Sequence, residues 1–299
     1  MGLSSAHLAA ILSFSFWGLF PIYWKLFPEI GSWDLFAHRL LWSFVTLIFI
    51  LFLKKDLNKL AAIFKDPKKA MWLTLSGALI AGNWLLYIYA VHIGKILEAS
   101  LGYFLNPLLN VFMGWLILKE KIRVGQWPAI LLGLIAITWL GILNGITHFP
   151  WIALSLSLSF ALYALIRKLV SVSSLVGLSF ETTMMIIPTL VIWHFQPTNP
   201  DSILEYLPNW KIAVLGLSGI ITCLPLILFG FAAKNLPLGT LGFINYLSPI
   251  LKFVCGWIIF DEILSPEKLQ AFSLIWIALI WYTAESIINK KKRKPVIPV

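Results

Sequence analysis

Three ionisable side chains, Arg39, Glu181 and Lys252, stand inside long apolar runs, and His38 lies directly beside the first. An ionisable group near mid-bilayer costs roughly 2.5–3.5 kcal/mol on insertion scales, so each requires a partner or a water-filled space. Lys252 is the deepest. It either snorkels outward or pairs structurally, or it turns its charge into a translocation cavity. Glu181 can neutralise Lys252 or Arg39, or carry a coupling proton. Arg39 is either an interfacial anchor or a substrate or gating residue, and His38 is titratable near neutral pH.

A second group of residues is polar without being charged. Pro107 and Pro249 each interrupt an apolar run, and a mid-helix proline frees the carbonyl four residues earlier, those of Tyr103 and Asn245. A free carbonyl is not tolerated against lipid, so such kinks face protein or a cavity. Asn106, Asn110, Tyr246 and Ser248 sit beside the prolines, and Asn83, Trp84 and Tyr87 lie at a similar depth in another run. Singly each is a packing residue; together they mark a candidate substrate cavity, with Trp84 able to stack on a ligand. Glu120 and Glu262 read as helix ends. His7, His38, His92, His148 and His194 form no ligand-like pair, so neither metal nor cofactor is expected.

The elements that carry these residues are membrane helices. Of the 299 residues, 60% are hydrophobic and only 12% charged, about half the charge of an ordinary soluble domain. Ten segments reach the roughly 20 apolar residues that a span needs: about 6–26, 33–53, 70–92, 97–118, 126–144, 150–167, 174–194, 211–233, 238–260 and 268–289. The connections are too short to hold a soluble domain. The N-terminus lacks a basic region and a cleavage site and reads as a retained first span. Cys223 and Cys255 lie in apolar runs and read as reduced packing residues. Gly141 and Gly145 have the spacing for close helix packing, a weak signal alone.

The net charge of +10 reads as topology, since no basic face is left to follow nucleic-acid phosphates. With the N-terminus inside, 17 of the 23 Lys and Arg residues fall in cytoplasmic segments and four outside, the distribution of the positive-inside rule. Both termini are therefore expected in the cytoplasm, with Lys290–Lys294 as the last anchor.

Shifting the chain by 142 residues aligns 72–122 with 214–264 without a gap, and 13 of the 51 pairs are identical. Pro107, Gly114, Trp115 and Glu120 meet Pro249, Gly256, Trp257 and Glu262; Asn110 meets Lys252. A repeat unit of five spans, an odd number, enters the membrane in the opposite sense in its second copy. The expected organisation is two inverted five-helix repeats, 1–146 and 147–289, followed by a basic tail, 290–299. Inverted repeats of this kind belong to secondary transporters.

These residues resemble the drug/metabolite transporter superfamily, its EamA family and the RarD subfamily within it. The resemblance rests on His38-Arg39-Leu40-Leu41-Trp42-Ser43, Gly82-Asn83-Trp84, Glu98 to Phe104, Asn106-Pro107-Leu108, Ser159-Phe160-Ala161, Arg167-Lys168, Glu181-Thr182 and Leu241-Gly242-Phe243. It implies a ten-span inner-membrane carrier with a central cavity, moving small metabolites or drugs. The family pattern has an apolar residue where Lys252 stands, so the role of that lysine is not carried over. No G-x-x-x-x-G-K-[ST] loop is present, which argues against direct ATP drive. The expected function is a secondary transporter, an exporter or exchanger working as a monomer, or as a dimer, in the lipid bilayer, and not an enzyme; the alternative is a ligand-binding membrane receptor or scaffold.

Overall fold

The computed structural model describes residues 4–24, 26–27, 30–92, 96–143, 151–195, 207–259 and 266–292. Glu262, His148, Gly145 and the tail beyond Lys292 lie outside the described residues, as do the side chains of His92, Glu98, Gly256 and Trp257. The described chain is all-α. The helices are α1 (Ser5–Trp24), α2 (Ser32–Leu53), the short α3 (Leu57–Phe64), α4 (Pro67–His92), α5 (Ile96–Leu116), α6 (Trp127–Leu143), α7 (Trp151–Leu169), α8 (Ser174–His194), α9 (Asn209–Gly216), α10 (Ser218–Asn235), α11 (Leu238–Asn245), α12 (Leu247–Ile259) and α13 (Pro266–Lys292).

Six of these segments are long and apolar enough to cross a membrane, α9 and α10 together counting as one; Val124–Trp139 is a shorter apolar helix. The other expected spans fall on α5, α6, α11 with α12, and α13. The ninth is divided because the helix stops at Asn245 and restarts at Leu247, around the site where Pro249 withholds its N–H. By contrast α5 runs as one element through Pro107, so the two prolines do not interrupt their helices in the same way.

Local signals set the helix ends. Asp66 precedes Pro67 and accepts from the Lys69 N–H at 3.1 Å, an N-cap followed by proline in the first turn. These bonds, with the Lys69 ammonium, hold the Asp66 carboxyl below the usual range. Lys55 (φ 56°) ends α2 in the left-handed conformation while the Asp56 N–H reaches the Leu51 carbonyl at 2.9 Å, closing that helix. Lys119 (φ 55°) does the same beyond α5, and the Glu120 N–H folds back to Gly114 at 2.9 Å.

α1 packs on α10 and α12, and α7 packs on α4 and α5. α2 lies against α8, α5 against α11, and α6 against α13. An aromatic cluster of Phe14, Trp17, Phe160, Tyr163 and Phe229 joins α1, α7 and α10, with Tyr163 and Phe229 stacked at 5.7 Å. Lipid is as apolar as these side chains, so association depends on close fit and on small residues that let backbones meet. A Cβ at Gly219 would overlap the Trp42 carbonyl where α10 meets α2, and one at Gly242 would sit 2.6 Å from the Pro107 carbonyl where α11 meets α5.

Gly219→Ala is accordingly expected to lower stability by about 1–3 kcal/mol, because the nearest obstructing group is the Trp42 backbone carbonyl, with Thr46 Oγ1 beside it. Gly82→Ala, where a Cβ meets nothing within 4 Å, is expected to be neutral or slightly stabilising. Thermal unfolding of both variants in detergent checks this; equal melting temperatures would refute the close-approach account.

Candidate functional site

Five helices bring cations and aromatic rings to one place. The Arg39 guanidinium on α2 lies 3.8 Å from the Trp84 ring centroid on α4 and 5.7 Å from Phe20 on α1, and its Nε donates to Thr222 Oγ1 on α10 at 2.9 Å. The Lys252 ammonium on α12 lies 3.9 Å from the Tyr103 ring centroid on α5. Tyr103 in turn meets Tyr87 of α4 edge-to-face at 5.6 Å. The two cationic centres are linked through α4, where Trp84 beneath Arg39 and Tyr87 against Tyr103 stand one helical turn apart. Arg39, Trp84, Tyr103 and Lys252 are partly exposed and Tyr87 is 36% exposed, so the cluster borders an open space. A cation held over a ring face gains about 0.5–2 kcal/mol.

Nearer the lysine-rich end lies a different kind of charge. Arg167 Nη1 of α7 meets Glu181 Oε1 of α8 at 3.2 Å, with both side chains only 2% exposed. Ser76 of α4 donates to the same carboxylate oxygen at 2.5 Å, and Arg167 Nη2 donates to the Ser174 carbonyl at 3.0 Å. Glycine makes the space: a Cβ at Gly177 would overlap the guanidinium, one at Gly230 would lie 3.0 Å from it, and one at Gly77 would lie 3.2 Å from the Glu181 backbone.

A narrow cavity of ≈ 20 Å³ joins the two centres, bounded by α2, α4, α8 and α10. Gly77, Ala81 and Trp84 line it along one face of α4, with Glu181 beside the first and Trp84 at the far end. Seven helical residues separate the ends, about 10 Å. At that volume the cavity has room for about one water molecule and none for an organic solute.

Arg39, Trp84, Tyr87, Tyr103 and Lys252 thus come together, and Glu181 terminates the cavity below them. Glu181 is paired with Arg167, not with Lys252 or Arg39. The remaining expected residues lie elsewhere. Asn83 donates to the Leu156 carbonyl at 2.7 Å and Ser159 Oγ at 2.9 Å, tying α4 to α7. His38 packs edge-to-face on Trp193 at 5.1 Å, whose indole N–H donates to Asp34 at 3.0 Å. Tyr246 points to Gly133 of α6, within the core cluster shared with Phe243 and Tyr282. Asn106, Asn110 and Asn245 are buried on α5 and α11, whose backbones meet at Pro107 and Gly242. Pro249 lies in the first turn of α12.

Sequence reasoning missed Arg167, assigning it to a cytoplasmic segment with Lys168. The available signal was Glu181, fourteen residues later in the next helix, which places the two side chains within reach across one helix–turn–helix. Thr222 and Ser76 were missed because single hydroxyls in apolar helices ordinarily bond back to their own backbone.

Comparison with known proteins bears on this arrangement. The model of the EamA-like transporter family matches residues 4–142. Protein RarD of Salmonella typhi is 35% identical over 292 residues, which span 96% of this chain and 97% of that protein. The chain belongs to the EamA family. Its RarD branch lies within the drug/metabolite transporter superfamily, so this is a multi-pass membrane transporter. The uncharacterized transporter YojE of Bacillus subtilis is 38% identical over 291 residues, 95% of each chain. A crystal structure of a protein only 18% identical shares the EamA fold seen here, with a TM-score of 0.73 over 95% of this chain and 99% of that one.

Breaking a buried ion pair by removing one partner costs about 3–5 kcal/mol, whereas replacing both by apolar groups is often near neutral. Arg167→Met and Glu181→Leu are each expected to unfold in detergent well below the parent, and the double variant to recover most of the loss. A double variant as unstable as the sum of the two would show that the pair is not the unit that matters.

Proposed function

We propose that this chain is a secondary transporter that carries a small organic solute by alternating access, rocking two inverted five-helix halves, 1–146 and 147–289, around the Arg39–Lys252 site. The observation that carries the reading is the set of polar contacts between these halves; at the end away from the lysines the Trp193 indole donates to Asp34 at 3.0 Å and the Tyr23 hydroxyl to the Val214 carbonyl at 2.9 Å. Towards the lysine-rich end the halves are locked by polar contacts. Glu120 accepts from the Leu238 and Gly239 N–H groups at 3.0 and 3.3 Å, capping the start of α11, and lies 3.9 Å from Lys168. Arg123 meets Glu285 at 3.0 Å, and the Trp281 indole donates to the Gly125 carbonyl at 2.9 Å. The cationic site lies beyond the Trp84 end of the cavity, away from these contacts.

Exchange of the halves is supported by the packing. If α1, α2, α4, α5 and α6 are matched in order with α7, α8, α9–α10, α11–α12 and α13, the contact of α1 on α10 becomes α7 on α4, and α1 on α12 becomes α7 on α5. The contacts α2 on α8, α5 on α11 and α6 on α13 map onto themselves. The first glutamate of the 142-residue repeat then acquires a role. Glu120 fastens α11 on one face, in space left by Gly114, where a Cβ would lie 2.6 Å from its carboxylate. Glu262 is its counterpart in the sequence repeat. If both termini are cytoplasmic, these contacts fasten the cytoplasmic face in the proposed cycle.

Charge-assisted hydrogen bonds contribute about 1.5–3 kcal/mol, so loss of the lock is expected to shift the population about tenfold. In a Cys223→Ser, Cys255→Ser background, Tyr87→Cys is expected to react with an impermeant maleimide from outside the cell. Adding Glu120→Ala is expected to slow that reaction about tenfold and to speed labelling of Thr182→Cys from the cytoplasmic side. Rates unchanged on both faces would overturn the alternating-access reading, and labelling of Tyr87→Cys from inside only would reverse the orientation.

A further inference from the structure

The charge of the site restricts what it can carry. Lys252 has no carboxylate partner among the described residues, and its ammonium rests over the Tyr103 ring. Glu181 faces the opposite way along α4 and is occupied by Arg167 and Ser76. Asp34 is taken by the Trp193 indole. A ring face attracts the Lys252 ammonium but accepts none of its three N–H groups as a carboxylate would. Arg39 adds a second cation over Trp84, one helical turn along α4 from the Tyr87 that meets Tyr103.

We propose that the site takes an organic anion: a carboxylate seated between Lys252 and Arg39, its apolar or aromatic body laid against Trp84, Tyr87 and Tyr103. This deepens the carrier reading by giving its cargo a charge. When the halves close over a ligand, water leaves and the ammonium must be met by an anion or remain buried and uncompensated. A neutral ligand leaves it so, and a cationic one adds a third positive charge to the same space. The rings supply flat apolar walls, and because Arg39 and Lys252 already rest on two of them, the cations are positioned before the ligand arrives.

The test uses three probes of one shape: 3-phenylpropionate, 3-phenylpropionamide and 3-phenylpropylamine. Binding to purified full-length protein is measured by equilibrium dialysis, and flux in proteoliposomes with the same probes. The expected result is that the carboxylate binds at least tenfold more tightly than the amide or the amine. Lys252→Met is expected to remove that preference and Lys252→Arg to keep it, both variants retaining the parent melting profile within a few degrees. Equal affinity for the three probes, no binding by any of them, or an unchanged preference in Lys252→Met overturns the anion site. Flux of the amide or amine without preference for the carboxylate also overturns it while leaving the carrier reading intact. Selective binding of the carboxylate with no flux supports the anion site and refutes the carrier reading.

Discussion

The Arg167–Glu181 pair is the constraint around which the interior is arranged. Both groups are almost wholly buried, in helices whose outer faces meet lipid, and neither can be left without the other. The pair joins consecutive helices α7 and α8, and through Ser76 it reaches α4 of the other half. Three glycines follow from it. Gly177 and Gly230 leave the volume that the guanidinium fills, and Gly77 lets α4 approach the backbone at Glu181. Because the charges balance internally, this end of the cavity offers a ligand no net charge, and its work is to fix helix register.

The contacts that fasten the ends of the bundle differ in kind from those about the site. Towards the lysine-rich end, contacts between the halves are directional: a capped helix start, an ion pair, an indole on a carbonyl. Such contacts hold one arrangement and release as units, unlike apolar packing, which yields gradually. At the other end the Trp193 indole on Asp34 and the Tyr23 hydroxyl on the Val214 carbonyl are directional too, whereas the site itself rests mainly on cations over ring faces, which tolerate small displacements without losing their attraction.

Much of this was legible in the residues. Apolar run lengths gave the helices, and the 142-residue offset picked out Gly114 and Glu120, whose contact with α11 accounts for their pairing. Arg39, Trp84, Tyr103 and Lys252 were recognisable because charge and aromatic rings are conspicuous in apolar runs. What was not legible is direction. Hydropathy does not say which way a side chain points, so Asn83 and Tyr246 looked the same as Trp84 and Tyr87 until packing turned the first pair to α7 and α6. Helix continuity was equally hidden, for Pro107 and Pro249 obey the same local rule and yet only the second accompanies a break. Arg167 was misplaced for a related reason: a basic residue next to Lys168 at the end of an apolar run satisfies the positive-inside rule whether it faces the cytoplasm or turns inward.

The pairing of Asn110 with Lys252 carries the last consequence. At equivalent positions of the 142-residue repeat, one residue is a neutral amide, fully buried with its Cβ 3.0 Å from where one would stand on Gly242, and the other is a cation over Tyr103. Tyr103 itself is equivalent to Asn245, which bears no ring. The two copies of the sequence repeat therefore contribute differently to the site, the second supplying the ammonium and the first the ring beneath it. In the proposed carrier, a ligand that binds the ammonium and the ring together would bridge the two halves, so that its binding energy acts directly on their relative position.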